Sequence, residues 1–246
     1  MDKALYVGMT GATQALRAQA LNAHNLANAS TVGYRGERAE TAAWQVGGDG
    51  FSTRFQTALQ HAGWDDKSGP IMQTGGDLDV AMKEGNWLAV QAPDGTEAYT
   101  RGGDLQVNAL GQLITSAGHP VMGDGGPLSV PPSSSVTIAA DGTVSAIPLG
   151  QSAASPVTVG RLKVVQGGRA ELDRGPEGLM RAREGIELQP ASGDTLIPGA
   201  LEGSNVNIAD SMVNMIDLAR RFELQTQMMK NADENAQQAA TIMRMG

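Results

Sequence analysis

Cysteine is absent from all 246 residues. Disulfides, thiolate metal centres and cysteine nucleophiles are therefore excluded. Aromatic residues make up 4% of the chain, so a large aromatic-lined pocket is not expected. Basic residues never cluster beyond a pair such as Arg220-Arg221, and the formal charge is −8. That balance argues against nucleic-acid binding through phosphate neutralisation. No stretch approaches the roughly 20 apolar residues of a membrane span, so direct membrane insertion is not expected either. The opening MDKALYVGMTGATQALRAQA has no continuous apolar run and is not expected to act as a cleaved secretory signal. Proline is missing from the first 69 residues and the last 48; all 11 prolines lie between Pro70 and Pro198. Glycine is missing between Gly203 and Gly246. Backbone breakers thus crowd the middle, leaving the ends free to form long helices and excluding a uniform α/β repeat.

Both ends carry heptad spacing. Leu5, Met9, Ala12, Leu16, Gln19, Ala23 and Leu26 are separated by alternating steps of 4 and 3. A longer run repeats the pattern through Ile208, Met212, Met215, Ala219, Phe222, Thr226, Met229, Asp233, Ala236, Ala240 and Met243. Asn207 is placed to cap this second helix, with Asp210 favourable to its dipole. The first helix should stop near Asn28, ahead of the Ser30, Thr31 and Gly33 turn cluster. Seams built from Ala and Met bury little area per residue, so such a pair is expected to finish its packing between subunits and to be poorly ordered alone.

The middle has the period of strands. Leu78, Val80 and Met82, then Trp87-Leu88-Ala89-Val90, then Leu105 and Val107, then Leu113-Ile114 read as short strands between glycine turns. Val136 to Ile147 reads as a hairpin bent at Asp141-Gly142, and Val157 to Val165 as the longest strand. The fold class is therefore α+β: N- and C-terminal helices pairing as a coiled-coil-like core, with an inserted antiparallel β domain. The expected divisions are an assembly helix and turn over 1–35, an extended connector over 36–75 anchored by Trp44, Phe51, Phe55 and Trp64, a β-rich domain over 76–200, and a second assembly helix over 201–246.

Chemistry is sparse. His24, His61 and His119 have no second ligand at helical spacing, so a zinc site is not expected. Gly123 to Pro127 lacks the Lys and Ser or Thr of a phosphate loop. Asp77 and Asp79 share one face of an expected strand, where paired carboxylates can do acid–base work, but an exposed strand face explains them at less cost. Ser133 to Ser135 lacks the glycine flanks of a nucleophile elbow. No cofactor, no metal and no enzymatic activity are expected.

The end segments resemble bacterial flagellar rod and hook proteins. Asn25 to Arg35, NLANASTVGYR, is similar to the N-terminal signature of that family. Gly203 to Asn207, Met212 to Ile216 and Arg220-Arg221-Phe222-Glu223 are similar to its C-terminal signature. Within the family, Met1 to Val7, Thr10 to Ala12, Ala98 to Gly103, Ala140 to Val144 and Asn231 to Glu234 resemble the proximal-rod branch, with the distal-rod branch as the alternative. The resemblance implies a structural axial subunit. It would leave the cytoplasm through the flagellar type III export apparatus without a cleaved signal peptide. It would then polymerise head-to-tail, with copies of itself and other rod subunits, into a hollow drive shaft spanning the periplasm. The residues expected at the assembly interface are Leu16, Leu26, Met212, Met215, Phe222 and Met229, with Asn25, Asn28 and Asn205 fixing the turns beside them. A secreted β domain with binding or hydrolytic activity and a cytoplasmic coiled-coil adaptor are the readings from other classes. The first needs an aromatic platform or a carboxylate pair in a cleft, and only Trp87 and Tyr99 lie in the β region.

Overall fold

The computed structural model describes residues 3–45, 55–150 and 156–245. It divides into a helical unit (Met1–Ala29, Glu37–Gly63 and Val206–Gly246) and a β unit (Ser30–Gly36 and Trp64–Asn205). The chain is α+β, with two terminal helices packed together and a large antiparallel β region.

In the helical unit, α1 spans Lys3–Ala27 and α2 spans Ile208–Met245. No proline or interior break interrupts either helix, as the composition requires. Asn207 caps α2, its side-chain oxygen accepting from the backbone N–H of Ala209 at 3.0 Å and of Asp210 at 3.4 Å. Asn28 closes α1 by donating to the His24 carbonyl at 2.9 Å. The helices run antiparallel: Gly8 lies against Met229, Gly11 against Gln225, and Asn22 against Ser211. At about 1.5 Å per residue α2 is the longer by roughly a dozen residues. From Asp233 to Arg244 every residue of α2 is exposed.

A strand pair, Glu37–Gln45 with Phe55–Trp64, occupies much of the segment expected to be an extended connector. Neither strand has a clean apolar alternation, because Glu37, Arg38 and Glu40 begin the first and Gln56 and Gln60 dilute the second. Period-2 reasoning therefore passes over them. Phe51, expected as an anchor there, lies outside the described residues.

The β unit centres on a six-stranded antiparallel sheet. Its order is Leu172–Arg174, Met180–Ala182, Glu97–Thr100, Asn86–Gln91, Val164–Gln166 and Gln189–Pro190. Strand Asn86–Gln91 is buried on both faces. Leu88 and Val90 enter a large core with Val80, Met82, Leu113, Val121, Val144 and Leu196. Trp87 and Ala89 point the other way, into a second core with Trp64, Tyr99, Val165, Leu172 and Met180. Trp64 and Trp87 meet edge to face with centroids 5.4 Å apart. These aromatics are core residues, 2% exposed each, and form no binding platform.

The expected long strand from Val157 to Val165 is two strands. Val157–Arg161 joins a three-stranded sheet with Thr143–Pro148 and Ser133–Ile138, whereas Val164–Gln166 belongs to the six-stranded sheet. Leu162 turns the chain between them, its N–H bonded to the Gly142 carbonyl at 2.8 Å. The Asp77 and Asp79 pair does not lie on a strand face. Both precede strand Val80–Met82, and the Asp79 carboxylate accepts from the Thr74 hydroxyl at 2.5 Å, closing a turn.

Candidate assembly site

The face of α1 that meets α2 is made of small residues. Gly8, Ala12 and Ala15 are buried, and Gly11, Ala18 and Asn22 continue the line with steps of 3 and 4. The absence of side chains at Gly8 and Gly11 is what lets the helices approach. A Cβ on Gly8 would sit 2.9 Å from Met229 Cγ, and one on Gly11 would sit 2.9 Å from Gln225 Cδ. On α2 the inner stripe is Ser211, Met215, Leu218, Phe222, Gln225, Met229 and Ala232, again in steps of 4 and 3. Asn22 fixes the axial register by donating to the Ser211 carbonyl at 2.6 Å.

This phase differs from the seam expected on α1. Leu5, Met9, Leu16 and Ala23 are exposed, Leu16 by 50%, and Met212 of α2 is 53% exposed. The within-chain partner takes the small-residue face because close backbone approach gives more contact there than bulky side chains would allow. Met215, Phe222 and Met229 are half-buried against α1, and Leu26 is half-buried near its end. The large apolar residues Leu5, Met9, Leu16, Met212, Val213, Ile216 and Leu224 face outward. Sequence reasoning passed over the inner face because hydropathy selects the most apolar side of a helix. The available signal was the Gly8, Gly11, Ala12, Ala15 spacing.

The asparagines act on backbone. Asn25 makes two hydrogen bonds with Glu37, donating to its carbonyl at 2.9 Å and accepting from its N–H at 2.8 Å. Its amide thereby imitates one residue of a β ladder and starts strand Glu37–Gln45. In the β unit, Asn205 accepts from the Gly36 N–H at 2.7 Å and donates to the carbonyls of Asp65 at 3.0 Å and Lys67 at 2.9 Å. One side chain therefore ties two separate stretches of backbone, at Gly36 and at Asp65 and Lys67, to its own.

Beside it lies a buried ionic node. Glu202, 1% exposed, holds two guanidinium groups. Arg35 approaches one carboxylate oxygen at 2.9 Å, and Arg101 Nε donates to the other at 2.6 Å, with its Nη2 on that same oxygen. The N–H of Gly69 donates to Glu202 at 2.9 Å. Arg101 also donates to the carbonyls of Asn86 at 2.6 Å and Met82 at 2.9 Å, and stacks 5.6 Å from the Trp87 ring. Arg35 is held below the usual guanidinium range, first by burial and then by the charge of Arg101, with Glu202 opposing both. Gly33 donates to the Glu202 carbonyl at 2.7 Å. It has φ +68°, and a Cβ there would lie 2.2 Å from the Arg101 carbonyl carbon. Tyr34 lies under the Arg174 guanidinium at 4.8 Å, and Arg174 donates to the Arg35 carbonyl at 2.6 Å. The node pairs residues 35, 101 and 202, a separation that no local pattern reveals.

Among the described residues no group of three His, Asp or Glu side chains is arranged to hold a metal. No described helix is long and apolar enough to cross a membrane. The side chains gathered here hold backbone to backbone and helix to helix. Together with the two long terminal helices and their uncovered apolar faces, they define a class of structural, assembly-forming proteins.

Three family models match along the chain. A flagella basal body rod protein model covers residues 5–35, a flagellar hook protein FlgE/F/G D1 domain model covers 81–146, and a flagellar basal body rod FlgEFG protein C-terminal model covers 197–242. The chain is 43% identical to the flagellar basal-body rod protein FlgF of Escherichia coli (strain K12), over the full length of both. It is 33% identical to FlgF of Caulobacter vibrioides, covering 100% of this chain and 99% of the relative. It is 31% identical to the rod protein FlgG of Buchnera aphidicola subsp. Acyrthosiphon pisum, covering 98% and 100%. The chain belongs to the flagellar basal-body rod protein family.

Proposed function

We propose that this protein is a structural axial subunit of the flagellar basal-body rod, in its proximal part, assembling with other rod subunits and with copies of itself. Its relatives are named as rod proteins and none as an enzyme. The FlgF relatives include the 43% match, against 31% for FlgG, which favours the proximal over the distal branch. The observation that carries the reading is the row of large apolar side chains left outside the helix pair. Leu5, Met9 and Leu16 on α1, with Met212, Val213, Ile216 and Leu224 on α2, form a surface that a lone soluble chain gains nothing by exposing. Neighbouring subunits cover it in the assembled rod. The 4-and-3 stripe of α2 supports coiled-coil-like packing, extended across subunits by the outer faces.

A head-to-tail contact repeated with a rise extends as a helix, and the reading takes that helix as a hollow shaft that carries torque. The interface includes Leu16, Leu26, Met212, Met215, Phe222 and Met229, with Asn25, Asn28 and Asn205 holding the turns that aim the helices. Export on this reading proceeds through the flagellar type III apparatus. The test is Phe222→Asp in flagellated cells. The variant chain is expected to be missing from purified basal bodies while its β unit remains folded by fluorescence of its buried tryptophans. Normal rods containing it would sink the seam model.

A further inference from the structure

A cleft of about 420 Å³ opens in the β unit. Arg35 and Arg101 contribute to its lining, and both are almost fully buried. Four exposed carboxylates also line it: Asp66, Glu84, Glu171 and Glu187. Glu202 is the one buried carboxylate for two buried guanidiniums, and Arg35 is left with Nε and Nη1 unpartnered. The cleft therefore has buried positive charge at its floor inside a negative rim. A free anion meets four carboxylates, and a metal cation meets two guanidiniums. The complementary shape is an acceptor flanked by cations.

The helical unit carries such a pattern. Asp217, Arg220 and Arg221 stand at i, i+3 and i+4 on α2, so they share one face. All three are exposed, and none makes an ion pair among the described residues. Leu224, 65% exposed, continues the face by a turn. We propose that this face of α2 in one copy docks on the Arg35 cleft of a second copy, with the Asp217 carboxylate toward Arg35 and the two arginines against the surrounding carboxylates. The contact joins unlike surfaces, and repeated with a rise it extends a chain of subunits. Unlike charges in register also fix which part of the helix the cleft accepts. The inference rests on the rod-subunit reading and names one contact within it.

The absence of cysteine supplies a clean test. A chain carrying Glu187→Cys and Arg221→Cys replaces the native copy in flagellated cells, and purified basal bodies are treated with a short bismaleimide. A ladder of covalent oligomers is expected from the double variant and none from either single variant. In a second arm, Arg221→Glu is expected to cut swimming to below about a tenth, and adding Glu187→Arg to recover most of it, because like charges are replaced by a reversed pair. Basal bodies that contain the double-cysteine chain without a ladder overturn the docking and leave the rod reading standing, as does a Glu187→Arg change that fails to relieve Arg221→Glu. Absence of the wild-type chain from basal bodies overturns both.

Discussion

Replacing Glu202 by Gln tests whether the buried node holds the β unit together. The carboxylate takes Arg35 at 2.9 Å, Arg101 Nε at 2.6 Å and the Gly69 N–H at 2.9 Å. Glutamine keeps the shape, removes the negative charge and places an NH₂ where one oxygen accepted. Two guanidiniums would then be buried without a counter-charge, and their mutual repulsion, already felt at Arg35, would be unopposed. Removing one partner of a buried pair costs about 3–5 kcal/mol. For a unit of this size each kcal/mol lowers the melting temperature by about 2–4 °C, so a drop of roughly 10 °C is expected. Arg35→Met is the control. It leaves Glu202 paired with Arg101 and removes the like-charge contact, so it should cost under about 2 kcal/mol. Both variants are read by urea unfolding of the full chain in a Trp44→Phe background. The remaining tryptophans, Trp64 and Trp87, are buried and report the β unit. A Glu202→Gln change within about 1 kcal/mol of wild type, or an Arg35→Met change as costly, refutes the account of the node.

Gly33→Ala should destabilise the β unit by more than about 2 kcal/mol, since φ is +68° and the new methyl meets the Arg101 backbone; urea unfolding measures it. Gly11→Leu should cost the helix pair about 1–3 kcal/mol by pushing on Gln225, whereas Ala23→Leu on the exposed face should be nearly neutral; amide exchange over 208–232 separates them. The exposed Asp94 carboxylate accepts from the Thr96 hydroxyl and N–H and from Arg181, which lower its pKa to about 2. Because the folded value lies below the unfolded value of about 3.9, its contribution is present above pH 4 and is lost as pH falls through about 2. A carboxyl carbon titration by NMR should find the low midpoint, and Thr96→Val should raise it.

The helices were legible from missing proline, and their ends from Asn28 and Asn207, because capping is a local interaction. The turn at Asp141-Gly142 was legible for the same reason. The phase of α1 was not. Its sequence carries one large-apolar face and one small face, and hydropathy alone assigns the larger to the nearest partner. In the structure the small face takes α2, and the large one is exposed. The break at Leu162 was hidden because Val157 to Val165 alternates without a turn residue at the division except Gly160. Asn25 and Asn205 stood out by motif, but the motif does not say that each would pair with backbone rather than with another side chain. The Glu202 node joins positions scattered over the sequence and is visible only after folding.

The bare end of α2 has a consequence for load. Its last dozen described residues, about 18 Å of helix, project beyond the reach of α1. In a head-to-tail series such an overhang crosses the joint between one subunit and the next, as staggered courses do in brickwork. No flat plane then separates neighbours, and a transverse cut must pass through covalent helix rather than slip along a face. The helix pair also acquires a direction, because α2 projects past α1 at one end, whereas the other ends nearly flush, with Asn22 against Ser211.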